Sequence, residues 1–319
     1  MRVAVPVICT NEGELLRHAL PSAIDQEDVE VVVIDNASED CTAQVAEELG
    51  VRRVRLETRH DFCRAMNAAL ASVEGEAVLF MQPDCFLTPD FVAGARRRLA
   101  EEGVGSVAPK LVRTRGPQPG QRLDAIDTAG MAVDRRRKNG LVGHGRPSLC
   151  YSRPAEAFGA DGAVALYRRE ALEDVAVDGQ VFDEDLVTWG SDADLAWRTR
   201  LLGWRCAYEP GVVAYHMRTY SPTTRAQMPD WDRMMQFRNR YLMVAKNDPA
   251  QSLARDLPVM LAYELAALGW ALVMERALLR GYVEAARLLP RMLRKRRVLQ
   301  RRRREREAAL PPYGLEPPA

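Results

Sequence analysis

Short apolar runs alternate with amphipathic stretches over the first 110 residues. Each apolar run has the length of one strand, and the stretches between them repeat their apolar positions with the period of a helix. This alternation predicts an α/β fold, a Rossmann-like, mostly parallel sheet flanked by helices. The predicted strands are Val3–Ile8, Val29–Ile34, Val54–Leu56, Ala77–Met81 and Ser106–Pro109, and the predicted helices are Glu12–Ala23, Thr42–Leu49, Cys63–Ala71 and Asp90–Ala100.

Residues 111–157 are rich in Gly, Pro and Arg and show weak periodicity, so we expect a long loop region over the sheet. Regular patterns return further along the chain. They predict a strand near Tyr167, helices at Arg169–Asp174 and Asp192–Leu202, and strands at Arg205–Tyr208 and Val212–Tyr215. We expect residues 1–225 to form one catalytic domain and residues 226–319 a helical, basic extension that associates with membrane.

The stretch 257–279 of that extension is strongly apolar but contains Glu264 and Glu275. A membrane-spanning helix would place Glu264 near the centre of the bilayer, which costs about 2.5–3.5 kcal/mol or more. A helix on a membrane surface or in a protein core is therefore favoured over a span.

Basic residues are concentrated in residues 287–306, which contain eleven Lys or Arg and one acidic residue. Because the whole chain carries a formal net charge of +1, the remainder is acidic. The first 280 residues are thus not typical of a nucleic-acid-binding protein. The basic segment alternates apolar and cationic residues, which suits a helix on an anionic lipid surface. A solvated charged tail is the alternative.

The six cysteines form no C-x-x-C pair, so the spacing typical of zinc sites is absent. A reduced compartment suits this pattern, and the N-terminal residues lead directly into a predicted strand. We expect a cytoplasmic protein.

Polar residues follow several predicted strands, at the strand ends where ligands bind in open α/β sheets. Glu12, Asp35 and Asp84 follow the first, second and fourth strands. A carboxylate in this position can hold Mg²⁺ or Mn²⁺ against a diphosphate. His216, at the end of a later strand, can add an imidazole ligand. The alternatives are an ordinary Pro-Asp turn at Asp84 and a structural histidine.

Asp192 lies at the start of a predicted helix, where the helix dipole favours an ionised carboxylate. Such a group can take the proton of a sugar hydroxyl as that oxygen attacks. An N-cap formed by Ser191 or Asp192 is the alternative. Asp194 is better explained as a structural partner of Arg198, four residues later.

Several short motifs, in this order and spacing, resemble inverting family 2 glycosyltransferases of the GT-A fold, especially their rhamnosyltransferase-like bacterial branch. The similarity covers about residues 2–220. The motifs are Val5-Pro6-Val7, Asn11-Glu12, Val33 to Asp40, Phe62 to Asn67, Gln82-Pro83-Asp84, Gly159, Tyr167-Arg168-Arg169, Asp192-x-Asp194-Leu195-x-x-Arg198 and His216.

The resemblance implies a role for each matching residue. The donor-binding residues would be Pro6, Glu12, Asp35, Arg64, Asn67, Gln82 and Gly159, with Asp35 at the base or ribose. Asp84 and His216 would bind Mg²⁺ or Mn²⁺, and Asp192 would be the catalytic base. Two residues depart from the family pattern: Gln82 replaces an Asp or Asn, and Ser191 replaces a Glu.

The function that this resemblance implies is transfer of a sugar from a UDP- or dTDP-linked donor to a hydroxyl of a lipid-linked or polysaccharide acceptor. The anomeric centre would be inverted, in cell-envelope glycan synthesis on the inner face of the cytoplasmic membrane. Because of Gln82 and Ser191, a catalytically silent scaffold that binds nucleotide-sugar or glycan is the alternative. A sugar-nucleotide pyrophosphorylase fits less well, since the N-terminal region lacks a Gly-rich loop with Arg or Lys.

Overall fold

A mixed sheet with helices on both faces forms the centre of the computed structural model, which describes residues 1–221 and 223–319. The strands are β1 (Val3–Cys9), β2 (Val29–Asp35), β3 (Arg52–Arg55), β4 (Ala77–Met81), β5 (Cys85–Leu87), β6 (Val104–Thr114), β7 (Arg122–Thr128), β8 (Met131–Val133), β9 (Asn139–Leu141), β10 (Ala155–Ala157), β11 (Val164–Arg168) and β12 (Arg205–His216). The helices are α1 (Gly13–Ile24), α2 (Thr42–Glu48), α3 (Phe62–Ala71), α4 (Phe91–Leu99), α5 (Arg169–Val175), α6 (Ser191–Leu201), α7 (Asp230–Asn247), α8 (Ala250–Val273) and α9 (Leu278–Glu305).

The main sheet has the strand order β10-β12-β6-β11-β4-β1-β2-β3, with β5 paired to β12 and β7 to β6. The half made of β4, β1, β2 and β3 is parallel, as the sequence predicts. Strand β11 then runs antiparallel to both β4 and β6. Cys9 lies opposite Asp35 and Val7 opposite Met81, so the polar residues that follow β1, β2 and β4 meet at one edge.

The core lies on both faces of this sheet. Val3, Val5 and Val7 of β1 pack with α1, α2 and α4, and the other face packs against α3, α5 and α6. Burial on both faces explains why the central strands are continuous apolar runs rather than alternating ones.

The expectation of a long loop over residues 111–157 is wrong. Strand β6 continues to Thr114, β7 pairs back onto it, β8 and β9 form a small two-stranded sheet, and β10 joins the edge of the main sheet. Three of these strands have only three residues, and the β6–β7 register is irregular. Strands this short and irregular leave no alternating pattern in the sequence.

The two strands expected at Arg205–Tyr208 and Val212–Tyr215 are one strand, β12. Its pairing with β6 is interrupted between Glu209 and Val213, where the chain contains Pro210 and Gly211. A Pro-Gly pair is a turn signal in a sequence, but here it marks a bulge within a continuous strand.

Helices α7 and α9 pack on the sheet domain through buried ion pairs. Lys246 Nζ lies 2.9 Å from Asp194 and also pairs with Asp183. Lys295 binds Asp183 and Asp185, while Arg198 Nε lies 2.9 Å from Asp194 as predicted. A buried charge is stable only when it is paired, so these contacts fix the C-terminal helices to the start of α6. The division at residue 225 stays a prediction.

Helix α8 differs from its neighbours because its apolar side chains are largely exposed. Within residues 1–221 and 223–319 it is the one helix long and apolar enough to cross a bilayer. Glu264 points toward the protein, where it pairs with Arg240 at 2.7 Å. The exposed leucines follow spacings of four, four, three and four residues, which puts them on one face: Leu257, Leu261, Leu265, Leu268 and Leu272.

Candidate active site

A cavity of about 250 Å³ opens at the carboxyl edge of the parallel strands. Four of the residues predicted to bind the donor or metal line it: Pro6, Glu12, Gln82 and Asp84. Phe62 and Phe80 add apolar walls. The parallel register of β1 and β4 brings these residues together, although their positions in the sequence are about 75 residues apart.

The remaining predicted donor residues lie outside this lining. Asp35 is fully buried, and its carboxylate accepts hydrogen bonds from the Ser38 backbone at 2.8 Å and from Arg53 at 2.6 Å. Burial alone would raise the pKa of Asp35, but the bonds from Ser38 and Arg53 and the charge of Arg55 lower it below its usual value. Asp35 therefore stays ionised at the end of β2.

Arg64, Asn67 and Gly159 make structural contacts. Arg64 is exposed and lies 3.3 Å from Glu184, and the Asn67 side chain bonds both backbone groups of Phe182. Gly159 packs so closely on α6 that an added Cβ would collide with Ala196. These contacts position the segments around the cavity, and the donor-binding roles of the three residues stay predictions.

The predicted metal residues lie side by side. Asp84 Oδ2 is 3.3 Å from His216 Nε2, because β5 and β12 pair with Cys85 opposite His216. Cys85 belongs to the same cluster, but burial raises the pKa of its thiol well above the usual value. A thiol is a soft ligand, whereas Mg²⁺ and Mn²⁺ favour harder ones, so the oxygen of Asp84 and the nitrogen of His216 are the ligand atoms of this cluster that suit Mg²⁺ or Mn²⁺.

The sequence gives no signal for a third participant, Asp127. It lies in β7, where no pattern is visible, and its fully buried Oδ2 is 2.7 Å from Nδ1 of His216. Arg218 donates to the same carboxylate at 2.7 and 2.9 Å. Burial alone would lower the pKa of His216, but hydrogen bonds to Asp127 and Asp84 raise it to about 9.

Asp192 stands at the border of the cavity. The N–H of Gly162, a cavity residue, donates to its Oδ2 at 3.1 Å, and the N–H of Ala193 donates to its Oδ1 at 2.8 Å. Removal from water, and next the negative charge of Asp161, raise the pKa of Asp192 to about 6. Gly190 occupies the N-cap position, so neither Ser191 nor Asp192 is the cap.

Residues 4–176 match the profile of the family described as Glycosyl transferase family 2. This chain belongs to that family. The match covers more than half of the chain and includes β1 to β11, with the whole lining of the cavity.

One curated relative is similar in sequence to part of this glycosyltransferase. A TPR repeat-containing protein of Synechococcus elongatus is 26% identical over 170 residues, which are 53% of this chain and 38% of that protein. The chain therefore spans well under half the length of this curated relative.

Among solved structures, Staphylococcus aureus TarS 1–349 in complex with UDP-GlcNAc is 18% identical, with a TM-score of 0.59, and the match covers 96% of this chain and 92% of that one. The mannosyltransferase PcManGT of Pyrobaculum calidifontis, in complex with GDP-Man and Mn²⁺, is 21% identical, with a TM-score of 0.52, and the match covers 96% and 86%. The predicted GT-A fold with a helical C-terminal region is confirmed.

A second cavity of the transferase, of about 580 Å³, lies on the other side of Asp192. Asp192, Asp161 and Arg218 form one wall, and Tyr263 and Trp270 of α8 form the opposite wall. Gly162 lines the first cavity and its N–H donates to Asp192, which lines the second, so one hydrogen bond joins the walls of the two cavities. A helix far along the chain thus completes a site that begins in the sheet domain.

Proposed function

We propose that this glycosyltransferase transfers a sugar from a UDP- or dTDP-linked donor to a hydroxyl of an acceptor, with inversion at the anomeric carbon. One observation carries the proposal: Asp192, which lines the larger cavity, accepts a hydrogen bond from Gly162 in the wall of the cavity beside Asp84. The donor would lie in the cavity lined by Glu12, Gln82 and Asp84, and the acceptor in the cavity between Asp192 and α8.

The reaction follows from this placement. The acceptor hydroxyl gives its proton to Asp192 as its oxygen forms a bond to C1 of the sugar. The bond from C1 to the diphosphate oxygen breaks, and the nucleoside diphosphate leaves on the opposite side, which inverts the anomeric centre. A pKa of about 6 leaves Asp192 mostly ionised at neutral pH and still basic enough to accept the proton.

The residues at the diphosphate end fit a divalent cation. Asp84 and His216 present one oxygen and one nitrogen toward the same point, and Asp127 holds the far nitrogen of the imidazole. Mg²⁺ or Mn²⁺ bound there would neutralise the charge that develops on the departing diphosphate. The GDP-Man and Mn²⁺ bound by PcManGT and the UDP-GlcNAc bound by TarS support this part of the proposal.

The exposed apolar face of α8 supports a peripheral position on a membrane. Five leucines on one side of the helix face solvent. Glu264 lies at the border of that side and pairs with Arg240. Burial of such an apolar face in a membrane surface would remove it from water. We propose that the protein acts on the inner face of the cytoplasmic membrane in cell-envelope glycan synthesis, on a lipid-linked or polysaccharide acceptor.

Calorimetric titration tests the donor site. UDP, dTDP and GDP are titrated into the full chain with and without Mn²⁺, and then into Asp84→Ala. We expect Mn²⁺-dependent binding of UDP or dTDP that is lost in Asp84→Ala and kept in Asp25→Ala, which removes an exposed carboxylate at the end of α1. Binding of no nucleotide, or equal binding by Asp84→Ala, would contradict the proposal.

A further inference from the structure

A path of hydrogen bonds leads from the proposed metal site toward Asp192, and Arg218 lies at its centre. At one end, Oδ2 of Asp127 lies 2.7 Å from Nδ1 of His216. Arg218 Nε donates to both oxygens of Asp127, at 2.7 and 2.9 Å. Its Nη2 donates to Oδ2 of Asp161 at 2.9 Å, and Asp161 lines the same cavity as Asp192. One guanidinium thus joins a carboxylate at the metal site to a carboxylate at the site of the base.

Asp161 begins the turn that holds Asp192. The N–H of Ala163 donates to Oδ1 of Asp161 at 2.9 Å, which closes this turn. Between them, Gly162 donates its N–H to Oδ2 of Asp192 at 3.1 Å. A Cβ on Gly162 would lie only 3.2 Å from Cβ of Asp192, so the turn and the base are packed closely together. A displacement of Asp161 would therefore move the N–H that bonds the base.

The chemistry of arginine suits this central place. The side chain of Arg218 is 14% exposed, and those of Asp127 and Asp161 are 0% and 7% exposed. An arginine presents several N–H donors in fixed directions from one rigid plane, whereas a lysine is a point charge on a flexible chain. Either residue could supply the positive charge. The arginine in addition holds the two carboxylates in one fixed arrangement.

We propose that Arg218 is a positioning residue: through Asp127 it orients the metal-binding His216, and through Asp161 and its turn it fixes Asp192 relative to the metal. This inference rests on the proposed function, in which His216 is a metal ligand and Asp192 is the base. It adds that one side chain, acting through others, keeps the two ends of the reaction in register.

A double-mutant cycle on the full chain, without ligand, tests the link. Arg218→Lys keeps the positive charge, so the direct attraction between residues 218 and 192 changes little, but the fixed arrangement is lost. Among the described residues, Arg218 and Asp192 share no hydrogen bond, so the thermal shifts of Arg218→Lys and Asp192→Asn add unless the turn connects them. We expect the double variant to differ from the sum of the single shifts by at least about 2 °C at pH 8. Additive shifts would overturn the inference.

Two controls identify the path. Asp161→Asn removes the charge that Arg218 binds, so the same cycle in this background should become additive. Arg200 is a buried arginine of α6 that pairs with Glu156 and lies eight residues, about 12 Å, from Asp192. Arg200→Lys and Asp192→Asn should be additive, because sites this far apart with no shared partner act independently. Coupling of Arg218→Lys that persists in the Asp161→Asn background would show a different path and overturn the inference.

The metal end gives a readout that a purely structural role would not change. Mn²⁺ is titrated calorimetrically in the presence of UDP. We expect Arg218→Lys to weaken Mn²⁺ binding about three- to tenfold, less than Asp127→Asn, since Asp127 keeps its own bond to His216. Arg200→Lys should leave the affinity unchanged. Wild-type affinity in Arg218→Lys would overturn the inference.

A charge-balanced variant covers the case in which Arg218→Lys does not fold. Asp161→Asn/Arg218→Gln removes one charge of each sign, and the same loss of Mn²⁺ affinity is expected. The thermal cycle is read on the free protein, whereas the proposed function is tested by nucleotide binding to the wild type. Failure of the proposed function and failure of this inference therefore give different results.

Discussion

Asp127 holds His216 in position: its Oδ2 lies 2.7 Å from Nδ1 of the imidazole, and Nε2 on the other side lies 3.3 Å from Asp84. Both Asp127 and His216 are buried. A carboxylate on the far nitrogen of a metal-binding histidine fixes the orientation of the ring and the nitrogen that faces the metal. Asp127 is therefore a positioning residue for the proposed metal site.

Replacing Asp127 should weaken metal binding without removing a ligand. We expect Asp127→Asn to lower the affinity for Mn²⁺, measured by calorimetry in the presence of UDP, by about 10–100-fold. Asp124→Asn is the matched control, because Asp124 lies on the same strand but is exposed and bonds Ser148. If Asp127→Asn keeps its thermal midpoint and binds Mn²⁺ like the wild type, the carboxylate serves only to pair Arg218.

Asp192→Asn should abolish turnover and spare donor binding, since the amide cannot accept the proton of the attacking hydroxyl. The affinity for UDP with Mn²⁺ serves as the control, because the donor cavity keeps its metal-binding residues. Neutralising this carboxylate also removes a charge that the fold disfavours, as its raised pKa shows. The thermal midpoint at pH 8 should be equal to or higher than that of the wild type. Wild-type turnover in this variant would rule out Asp192 as the base.

The pH dependence of kcat/KM should report the same carboxylate. Because Asp192 must be ionised and its pKa is about 6, activity should reach half its maximum near pH 6 and fall about tenfold per pH unit below it. The negative charge of Asp161 contributes to the raised pKa of Asp192, so Asp161→Asn should move the acid limb to lower pH. An acid limb at the same pH in this variant would show that another group controls it.

The sequence predicted the parts of the site that lie in regular, strongly patterned segments. Asp84 follows a buried strand and Asp192 begins a helix, so each could be placed from local periodicity. The parallel pairing of β1, β2 and β4 then brings the strand ends to one edge, as expected for this class of sheet.

The site residues that the sequence did not predict are held in place by contacts between segments that are distant in the sequence. Asp127 acquires its role only because β7 pairs back onto β6, beside the end of β12. Asp161 and Arg218 form their ion pair across 57 positions of sequence. Tyr263 lies on α8, which the buried ion pair between Asp256 and Arg137 ties to a segment 119 positions earlier in the sequence. Short-range patterns contain no information about such pairings.

Helix α8 should bind anionic membranes through its exposed leucines. Leu261 and Leu265 are 53% and 73% exposed, so replacing both with serine removes apolar surface without opening the core. We expect Leu261→Ser/Leu265→Ser to reduce cosedimentation with vesicles of equal parts phosphatidylglycerol and phosphatidylcholine by about tenfold or more. Burying a leucine side chain in the membrane contributes ~1.5–3 kcal/mol to binding, and each substitution removes part of that free energy.

Point substitution is a sharper test of this docking than truncation after residue 249. Truncation would also remove Lys295, which pairs with the buried Asp183, and Met292, which lies in the main core. Leu149→Ser is the matched control, because Leu149 is 85% exposed but lies outside the helical region.

The arginines of α9 that face solvent add attraction to anionic lipid, so binding should weaken as salt is raised. Equal sedimentation of the double variant and the wild type would exclude α8 as the membrane-binding surface, and the acceptor would then have to reach Asp192 from solution.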